Sequence, residues 1–227
     1  MPAMMPHQLV LDFGQPPSLA REDFVAAPCN AAALAVVERW PDWPDRAVVV
    51  VGPEGTGKSH LAAIWAARAA AKRVLAEALH EADLADLLAS GALVVEDLDP
   101  AGVTETVLFH LLNLVREQRA WLLITAREAP AAGFGLPDLV SRLRALPVAA
   151  IAPADDDLLQ AMAFKLFADR GVDADPAMVK YLVTRIERSA AALARTVADL
   201  DSAALALRRP VTRALAAQLL PQVSLER

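Results

Sequence analysis

The stretch GPEGTGKS, which begins at Gly52, constrains the fold of this sequence more than any other. It matches the Walker A pattern, GxxxxGK followed by Ser or Thr, and it lies between the apolar run AVVVV and a helical stretch. Gly52, Gly55 and Gly57 permit backbone angles that side chains would block, so successive N–H groups can turn toward a phosphate. Lys58 can reach phosphate oxygens, and Ser59 can bind magnesium. The stretch therefore predicts a strand, a phosphate-binding loop and a helix, in that order.

Further apolar runs of strand length follow the loop. They read RVLAEAL, ALVVE, WLLITA and PVAAIA, and they begin at Arg73, Ala92, Trp121 and Pro147. Near-continuous apolar runs of this length, separated by segments long enough for a helix, are typical of parallel strands that helices cover on both faces. Together with AVVVV they predict an α/β domain with a five-stranded parallel sheet over residues 23–152.

The strand signals stop after Pro153. Beyond this point the apolar residues recur at helical spacing, as in the stretch DDDLLQAMAFKLFADRG. Asp175, Ser189 and Thr212 stand where the N-caps of helices are expected. We therefore predict a small all-α subdomain of about four helices over residues 153–227.

Charge and composition argue against several classes of partner. The formal net charge of -6 disfavours direct binding of duplex DNA, because non-specific affinity for DNA depends on Lys and Arg. The longest apolar stretch, LAAIWAARAAA, is too short to span a membrane. The N-terminus lacks the basic start, the apolar stretch and the cleavage site of a secretory signal. We therefore expect a cytoplasmic protein with no membrane association and no sequence-specific DNA binding of its own.

The stretch ALVVEDLD contains two adjacent carboxylates, Glu96 and Asp97, which are candidates for a metal site. A nucleotide site of this type needs a carboxylate at the end of a neighbouring strand to position magnesium, and hydrolysis needs a second one to orient water. The usual first residue is Asp, and the longer side chain of Glu96 would shift the metal or the water. We predict that Ser59, Glu96 and Asp97 surround Mg²⁺, that Asp97 is also catalytic, and that hydrolysis is slow.

The order of these motifs resembles that of the AAA+ ATPases, and more closely that of the Hda-like regulators of the DnaA family. The resemblance runs from QLVLDF, which begins at Gln8, to about Leu220. Its most specific segments are DFVAAPCNAAA, GPEGTGKSHLA, LVVEDLD and LPDLVSRLRAL. It implies an AAA+ P-loop core followed by a small helical lid, with ADP or ATP and Mg²⁺ as cofactors. The sequence leaves open which of the two nucleotides is resident.

The resemblance also implies which residues bind the nucleotide. Within GPEGTGKSHLA the implied contacts come from Gly52, Pro53, Gly55, Thr56, Gly57, Lys58, Ser59 and His60. Within DFVAAPCNAAA, which resembles the family's segment beside the adenine, they come from Phe24, Val25 and Asn30. We therefore expect the base to lie near the segment that precedes the first strand, and the phosphates to lie on the loop.

The segment LPDLVSRLRAL resembles the family's box that carries an arginine finger. On that resemblance Arg142 is the finger and Arg144 is the alternative. Such a finger normally serves the nucleotide of a neighbouring molecule and raises the rate of its hydrolysis by roughly 10³ to 10⁵. The resemblance thus implies DnaA as a partner. Faster hydrolysis of DnaA-bound ATP would then negatively regulate replication initiation.

Two positions depart from the family's pattern. ITAREAP places Arg127 about where an aspartate is usual, and RIERSAAAL places Ala191 where the family has an arginine that touches the nucleotide. Together with Glu96 they weaken the case for hydrolysis in the chain's own site, so whether the chain is itself an enzyme stays open. The resemblance ends after the lid, where DnaA continues into a helix-turn-helix module, and this favours a regulator over an initiator.

The hexapeptide QLVLDF lies in an N-terminal segment, residues 1–22. Its apolar residues Leu9, Leu11 and Phe13 alternate after Gln8, a pattern with which an extended peptide can fill a hydrophobic groove on a partner. By pattern alone, a strand packed on the chain's own core fits equally well. The resemblance implies binding to the sliding clamp, the β subunit of DNA polymerase III.

Other functions stay open for this sequence. An autonomous ATPase, such as a helicase loader related to DnaC, would use its own turnover to remodel a partner. A nucleotide-locked adaptor would dock on the clamp and on DnaA without speeding hydrolysis. A homo-oligomer is also open, in which residues 8–13 or Arg142 dock on a second copy of the chain.

Overall fold

The computed structural model describes residues 19–220. A five-stranded sheet with the spatial order β2-β3-β4-β1-β5 forms its centre. The strands are β1 (Ala47–Val51), β2 (Lys72–Leu75), β3 (Ala92–Leu98), β4 (Trp121–Ala126) and β5 (Val148–Ala150). Each neighbouring pair is parallel, which confirms the predicted five-stranded parallel sheet.

Helices cover both faces of the sheet. They are α1 (Ala31–Glu38), α2 (Lys58–Ala69), α3 (Leu84–Leu87), α4 (Glu105–Glu117) and α5 (Pro137–Ala145). Val49, Leu93 and Val95 belong to a core on the side of α4 and α5. Val50 and Val94 belong to a second core on the side of α1 and α2. Adjacent strand residues thus alternate between two buried faces, and this is why the strands read as continuous apolar runs.

The C-terminal part is all-helical and has a core of its own. It consists of α6 (Asp156–Ala168), α7 (Pro176–Val183), α8 (Ala190–Leu207) and α9 (Arg213–Leu219). The side chains of Asp175, Ser189 and Thr212 accept backbone N–H groups at the starts of α7, α8 and α9, so the predicted caps are confirmed. The predicted α/β core with a small helical lid is confirmed as well. Within residues 19–220 no helix has the length and apolar character of a membrane span.

Residues 19–30 join the α/β part to the helical part. Val25 and Cys29 pack against the core of the helical part. The ammonium nitrogen of Lys165, on α6, lies 2.6 Å from a carboxylate oxygen of Asp23. A ligand bound against this segment would therefore contact both parts of the molecule.

Candidate functional site

The carboxyl edge of the sheet brings together the loop after β1, the end of β3 and the residues after β4. This follows from the strand order, because β1 lies beside β4 and β4 lies beside β3. Parallel strands end at the same edge, and ligands of open α/β sheets bind in the crevice outside that edge. Residues far apart in the sequence meet here, since the charges of Asp97 and Arg127 both act on the Lys58 ammonium.

The loop after β1 has a backbone that requires glycine at three positions. Gly55 and Gly57 have φ angles of +72° and +98°, in the left-handed region that other residues rarely adopt. A Cβ on Gly52 would lie 2.6 Å from the carbonyl oxygen of Ile151, so a side chain there would displace the backbone. The loop leads directly into α2, whose N-terminus carries the partial positive charge that favours phosphate.

Lys58 begins α2 and is buried, with 6% of its surface exposed. Its ammonium donates hydrogen bonds to the carbonyl oxygens of Gly52 and Pro53, both at 2.8 Å, and the Thr56 hydroxyl also donates to Pro53, at 2.9 Å. Burial lowers the pKa of the Lys58 ammonium from its ordinary value of 10.5, and the nearby Asp97 carboxylate opposes that shift. A bound phosphate would supply the negative charge that favours the ammonium form.

A β-bulge near the end of β3 changes the direction of the two adjacent carboxylates. The pairing of β3 with β4 shifts register between Val95 and Leu98, so that Glu96 and Asp97 oppose Thr125 alone. Asp97 adopts a φ of +53°, and its N–H donates to the Thr125 hydroxyl at 2.9 Å. Glu96 is buried, whereas Asp97 is exposed. The bulge therefore leaves Asp97 as the accessible one of these two carboxylates.

The two carboxylates also differ in their partners. Glu96 accepts hydrogen bonds from the Arg73 guanidinium on β2, with oxygen–nitrogen distances of 2.6 and 2.8 Å. Asp97 has no ion-pair partner among residues 19–220, and Ser59 is exposed in the first turn of α2. That part of the chain contains no group of three or more His, Cys, Asp or Glu side chains placed to hold a metal ion. A Mg²⁺ ion here would thus depend on Asp97, Ser59 and phosphate oxygens, and Glu96 as its ligand stays a prediction.

Phe24, one of the three residues predicted to flank the base, lies beside the loop. The Phe24 ring is 3.5 Å from the point where a Cβ on Gly57 would stand. The same ring meets His60 edge-on, with 5.2 Å between the ring centroids. The structure therefore brings Phe24 to the loop that is predicted to hold the phosphates, and Asn30 is linked to the residue after Phe24 by its hydrogen bond to Val25.

The polar atoms of His60 and Asn30 hold this segment in place. Nε2 of His60 donates to the carbonyl of Ala20 at 2.9 Å. The Asn30 side chain, 3% exposed, donates to the carbonyl of Val25 at 3.0 Å and accepts the N–H of Ala27 at 2.9 Å. Both side chains thus position backbone next to the loop, while their direct contact with a nucleotide stays a prediction.

We expect Asn30→Ala to weaken ADP binding by roughly ten-fold, because the turn that carries Val25 loses both side-chain hydrogen bonds that shape it. Titration calorimetry with MgADP measures this, with Asn113→Ala on α4 as the matched control. Unchanged ADP affinity together with a lower unfolding temperature would restrict Asn30 to a role in stability.

Arg127, the residue after β4, reaches back to the loop. Its guanidinium lies 3.0 Å from a carboxylate oxygen of Glu54. A cavity of about 440 Å³ opens beside this pair, lined by the end of β3 and by residues of the segment 126–134. The position at which the sequence departs from the family's aspartate therefore has a partner, an acid within the phosphate loop.

Helix α5 carries both candidate finger arginines. Arg142 is half-buried, with its guanidinium carbon 4.8 Å from the ring centroid of Phe109 on α4, whereas Arg144 is exposed. Neither arginine forms an ion pair with an acid in the described part of the chain. Glu105 on α4 accepts two backbone N–H groups just ahead of α5, at 2.9 and 2.6 Å. These contacts hold α5 on α4, and the finger role of Arg142 stays a prediction.

The helical part touches the phosphate loop directly. The N–H of Ala190, at the start of α8, donates to the carbonyl of Gly55 at 3.1 Å. A Cβ on Gly55 would lie 2.5 Å from the Cβ of Ser189. Ala191, at the position of the family's nucleotide-contacting arginine, is exposed in the first turn of α8. The lid thus reaches the loop through its backbone rather than through a charged side chain.

The structure adds partners that the motifs did not reveal. Arg127 contacts Glu54, Glu96 contacts Arg73, and the N–H of Asp97 contacts the hydroxyl of Thr125. Thr125 could have been identified from the sequence as a candidate site residue, because it is a polar residue inside the apolar run WLLITA. The sequence does not indicate the roles of Glu54 and Arg73, because each pairs with a residue distant in sequence. The candidate clamp peptide at residues 8–13 lies outside the described residues.

Comparisons with known proteins agree with this architecture. Residues 155–220 match the family model described as "Hda, lid domain". Domain III of the Thermotoga maritima replication initiation protein DnaA is similar, with a TM-score of 0.73 and 21% identity over 90% of this chain and 96% of that chain. AMPPCP-bound DnaA from Aquifex aeolicus is similar with a TM-score of 0.69 and 16% identity, over 86% of this chain and 68% of that chain.

A motor protein has a similar fold. The Thermotoga maritima RuvB Holliday junction branch migration motor gives a TM-score of 0.66 and 15% identity, over 84% of this chain and 65% of that chain. At such identities a likeness between structures establishes the fold alone. The match to a family model adds a more specific assignment for residues 155–220. The α/β part thus shares its fold with DnaA domain III, and the helical part matches the Hda lid domain.

Proposed function

We propose that this chain binds an adenine nucleotide and regulates replication initiation, by promoting hydrolysis of DnaA-bound ATP while it is attached to the sliding clamp. The observation that carries the proposal is a formed phosphate loop, with Lys58 buried at its base, in a chain that has an Hda lid. The similar DnaA from Aquifex aeolicus is described as AMPPCP-bound, which supports an adenine nucleotide as the ligand. Either ADP or ATP would suit the loop.

The nucleotide would be bound by backbone and side chains together. The N–H groups of the loop and the Lys58 ammonium would bind the phosphates, with the N-terminus of α2 behind them. Ser59 and Asp97 would hold Mg²⁺, which neutralises charge on the phosphate oxygens when it is bound. Phe24 and Val25 would pack against the base. A nucleotide bound in this way would link the α/β part to the lid.

Hydrolysis in the chain's own site should be slow. The Glu96 carboxylate is paired with the Arg73 guanidinium at 2.6 Å, and this pairing would hinder it from orienting water. Ala191 brings no charge to the phosphates. These features favour a nucleotide that stays bound and maintains the shape of the molecule. They count against an autonomous loader ATPase.

Arg142 is the group that would act on the ATP of DnaA. Phosphoryl transfer spreads negative charge over the oxygens of the transferred group, and a guanidinium from a neighbouring molecule stabilises that charge. The stack of Arg142 on Phe109, at 4.8 Å, orients the side chain without neutralising it. Its positive charge is therefore available to the phosphates of a second molecule.

The clamp would act as a tether. An extended peptide with alternating apolar residues fits a groove, and Leu11 and Phe13 would be its anchors. Attachment to a clamp on DNA would make the encounter with DnaA on the same DNA effectively intramolecular. The effective concentration of the finger near DnaA then rises without any new contact.

We expect the wild-type chain, with DNA-loaded clamp, to speed hydrolysis of radiolabelled ATP held by DnaA. Removal of residues 8–13 should abolish this effect. Leu11→Ala with Phe13→Ala should weaken clamp binding by about ten-fold or more, because both anchors are lost. Thin-layer chromatography of DnaA-bound nucleotide and a pull-down on the clamp measure the two effects. Met4→Ala with Met5→Ala, just before the hexapeptide, is the matched control.

Three outcomes would change the proposal. Intact binding to the clamp and to DnaA without faster hydrolysis would identify a nucleotide-locked adaptor. A DNA-stimulated ATPase activity of the chain alone would identify an autonomous ATPase. Full clamp binding by the double variant would rule out the hexapeptide as the tether.

A further inference from the structure

An ion pair connects the phosphate loop to the residue after β4. Nη2 of Arg127 lies 3.0 Å from Oε2 of Glu54. Asp97, Arg127 and Glu54 all act electrostatically on the Lys58 ammonium. These four side chains therefore form one cluster of charges around the place where the phosphates of a nucleotide would bind.

The charges of this cluster balance in the absence of a ligand. Lys58 and Arg127 are cationic, and Glu54 and Asp97 are anionic. A nucleoside triphosphate brings more negative charge than a diphosphate, and the extra phosphate is the one farthest from the base. The Glu54 carboxylate would repel that phosphate, whereas the Arg127 guanidinium would attract it. The same pair thus contains one group that opposes a triphosphate and one that favours it.

The ion pair is easily broken. The side chains of Arg127 and Glu54 are 63% and 77% exposed, and pairs at such positions are screened by water and contribute little to stability. A guanidinium binds phosphate through its planar fork of donors, and such charge-assisted hydrogen bonds are among the strong ones in proteins. A phosphate within reach would therefore draw Arg127 away from Glu54 at a small cost.

The residues around the site favour Arg127 as the side chain that a terminal phosphate would contact. Arg127 lines the cavity of about 440 Å³ at the ends of β3 and β4, so its side chain has room to change direction. In the lid, Ala191 has no charge, and Arg188 contacts Asp156 of α6, whereas the acid that Arg127 contacts, Glu54, belongs to the loop itself. Arg127 already contacts the loop through its guanidinium.

We propose that Arg127 binds the terminal phosphate of a nucleoside triphosphate in this site, and that Glu54 holds it when that phosphate is absent. The inference rests on the proposed nucleotide binding and adds a basis for distinguishing triphosphate from diphosphate. With a diphosphate the Arg127–Glu54 pair persists. With a triphosphate the guanidinium moves to the phosphate, and Glu54 is left exposed to water.

The test is calorimetric titration of the full-length chain with MgADP and with MgAMPPCP, a triphosphate analogue that resists hydrolysis. Arg127→Gln should weaken AMPPCP binding by about ten-fold and ADP binding by less than about two-fold. Glu54→Gln should strengthen AMPPCP binding several-fold, because it removes the repulsive carboxylate and frees the guanidinium. Arg116→Gln, at an exposed arginine near the end of α4, is the matched control and should change neither affinity.

The ratio of the two affinities decides the result, since a merely structural ion pair would not change it. Equal weakening of both ligands by Arg127→Gln, or no change in either, would overturn the inference and leave nucleotide binding standing. Failure of the wild type to bind either ligand would instead refute the proposed nucleotide site, and the inference with it. Thermal unfolding without ligand shows whether each variant is folded.

Discussion

Lys58→Ala is expected to weaken the binding of both ADP and ATP by about 100-fold, because the phosphates lose charge-assisted hydrogen bonds from a buried ammonium. Unlike Arg127, Lys58 lies at the base of the loop, so both nucleotides should be affected. Calorimetric titration with MgADP and with MgATP measures the loss. Unchanged affinity for both would mean that the loop does not bind the phosphates.

Two further variants separate binding from folding. In the free protein the Lys58 ammonium donates to the carbonyls of Gly52 and Pro53, so its removal also leaves these acceptors without a donor. Lys58→Met retains the apolar stem and should bind nucleotide as weakly as Lys58→Ala while unfolding closer to the wild-type temperature. Lys180→Ala, at an exposed lysine on α7, should change neither property.

Arg142→Ala is expected to lower the clamp-dependent hydrolysis of DnaA-bound ATP by about 10³-fold, because the transition state loses a cation supplied by the neighbouring molecule. The measurement is the rate at which radiolabelled ATP on DnaA becomes ADP in the presence of DNA-loaded clamp. The chain's own affinity for ADP should stay as in the wild type, since the variant changes α5 and not the loop.

Arg144→Ala is the matched control for this prediction. It lies on the same helix and is exposed, whereas Arg142 is half-buried against Phe109. The control should retain stimulation within about two-fold of the wild type. Loss of stimulation in Arg144→Ala alone would transfer the finger role to Arg144, and full activity in both variants would remove the finger from the proposed mechanism. Loss of the Phe109 stack should cost about 0.5–1 kcal/mol of unfolding free energy, too little to unfold the chain.

The sheet was predictable because its signals are local. Each strand of a doubly covered parallel sheet is a continuous apolar run, and the glycine-rich loop locates the first crossing from strand to helix. The caps at Asp175, Ser189 and Thr212 were predictable for the same reason, since a cap and the helix that it begins are adjacent in sequence.

The geometry of the site was less predictable because it depends on pairings across the sheet. Nothing in ALVVEDLD indicates the bulge that leaves Asp97 exposed and Glu96 buried, since a single unpaired residue does not alter the apolar pattern. The partner of Glu96 is Arg73, one strand away, and the partner of Arg127 is Glu54, one loop away. Such contacts follow from the strand order, which the sequence alone does not specify.

The close approach of Gly55 to Ser189 has a consequence for how the protein can change over evolutionary time. A larger residue at position 55 would collide with the lid, since even a Cβ would lie 2.5 Å from that of Ser189. A displaced lid would in turn lose the hydrogen bond from Ala190 to the loop. Substitutions in the phosphate loop at Gly55 and at the start of α8 should therefore depend on each other. A lid grafted from a relative would require the matching phosphate loop.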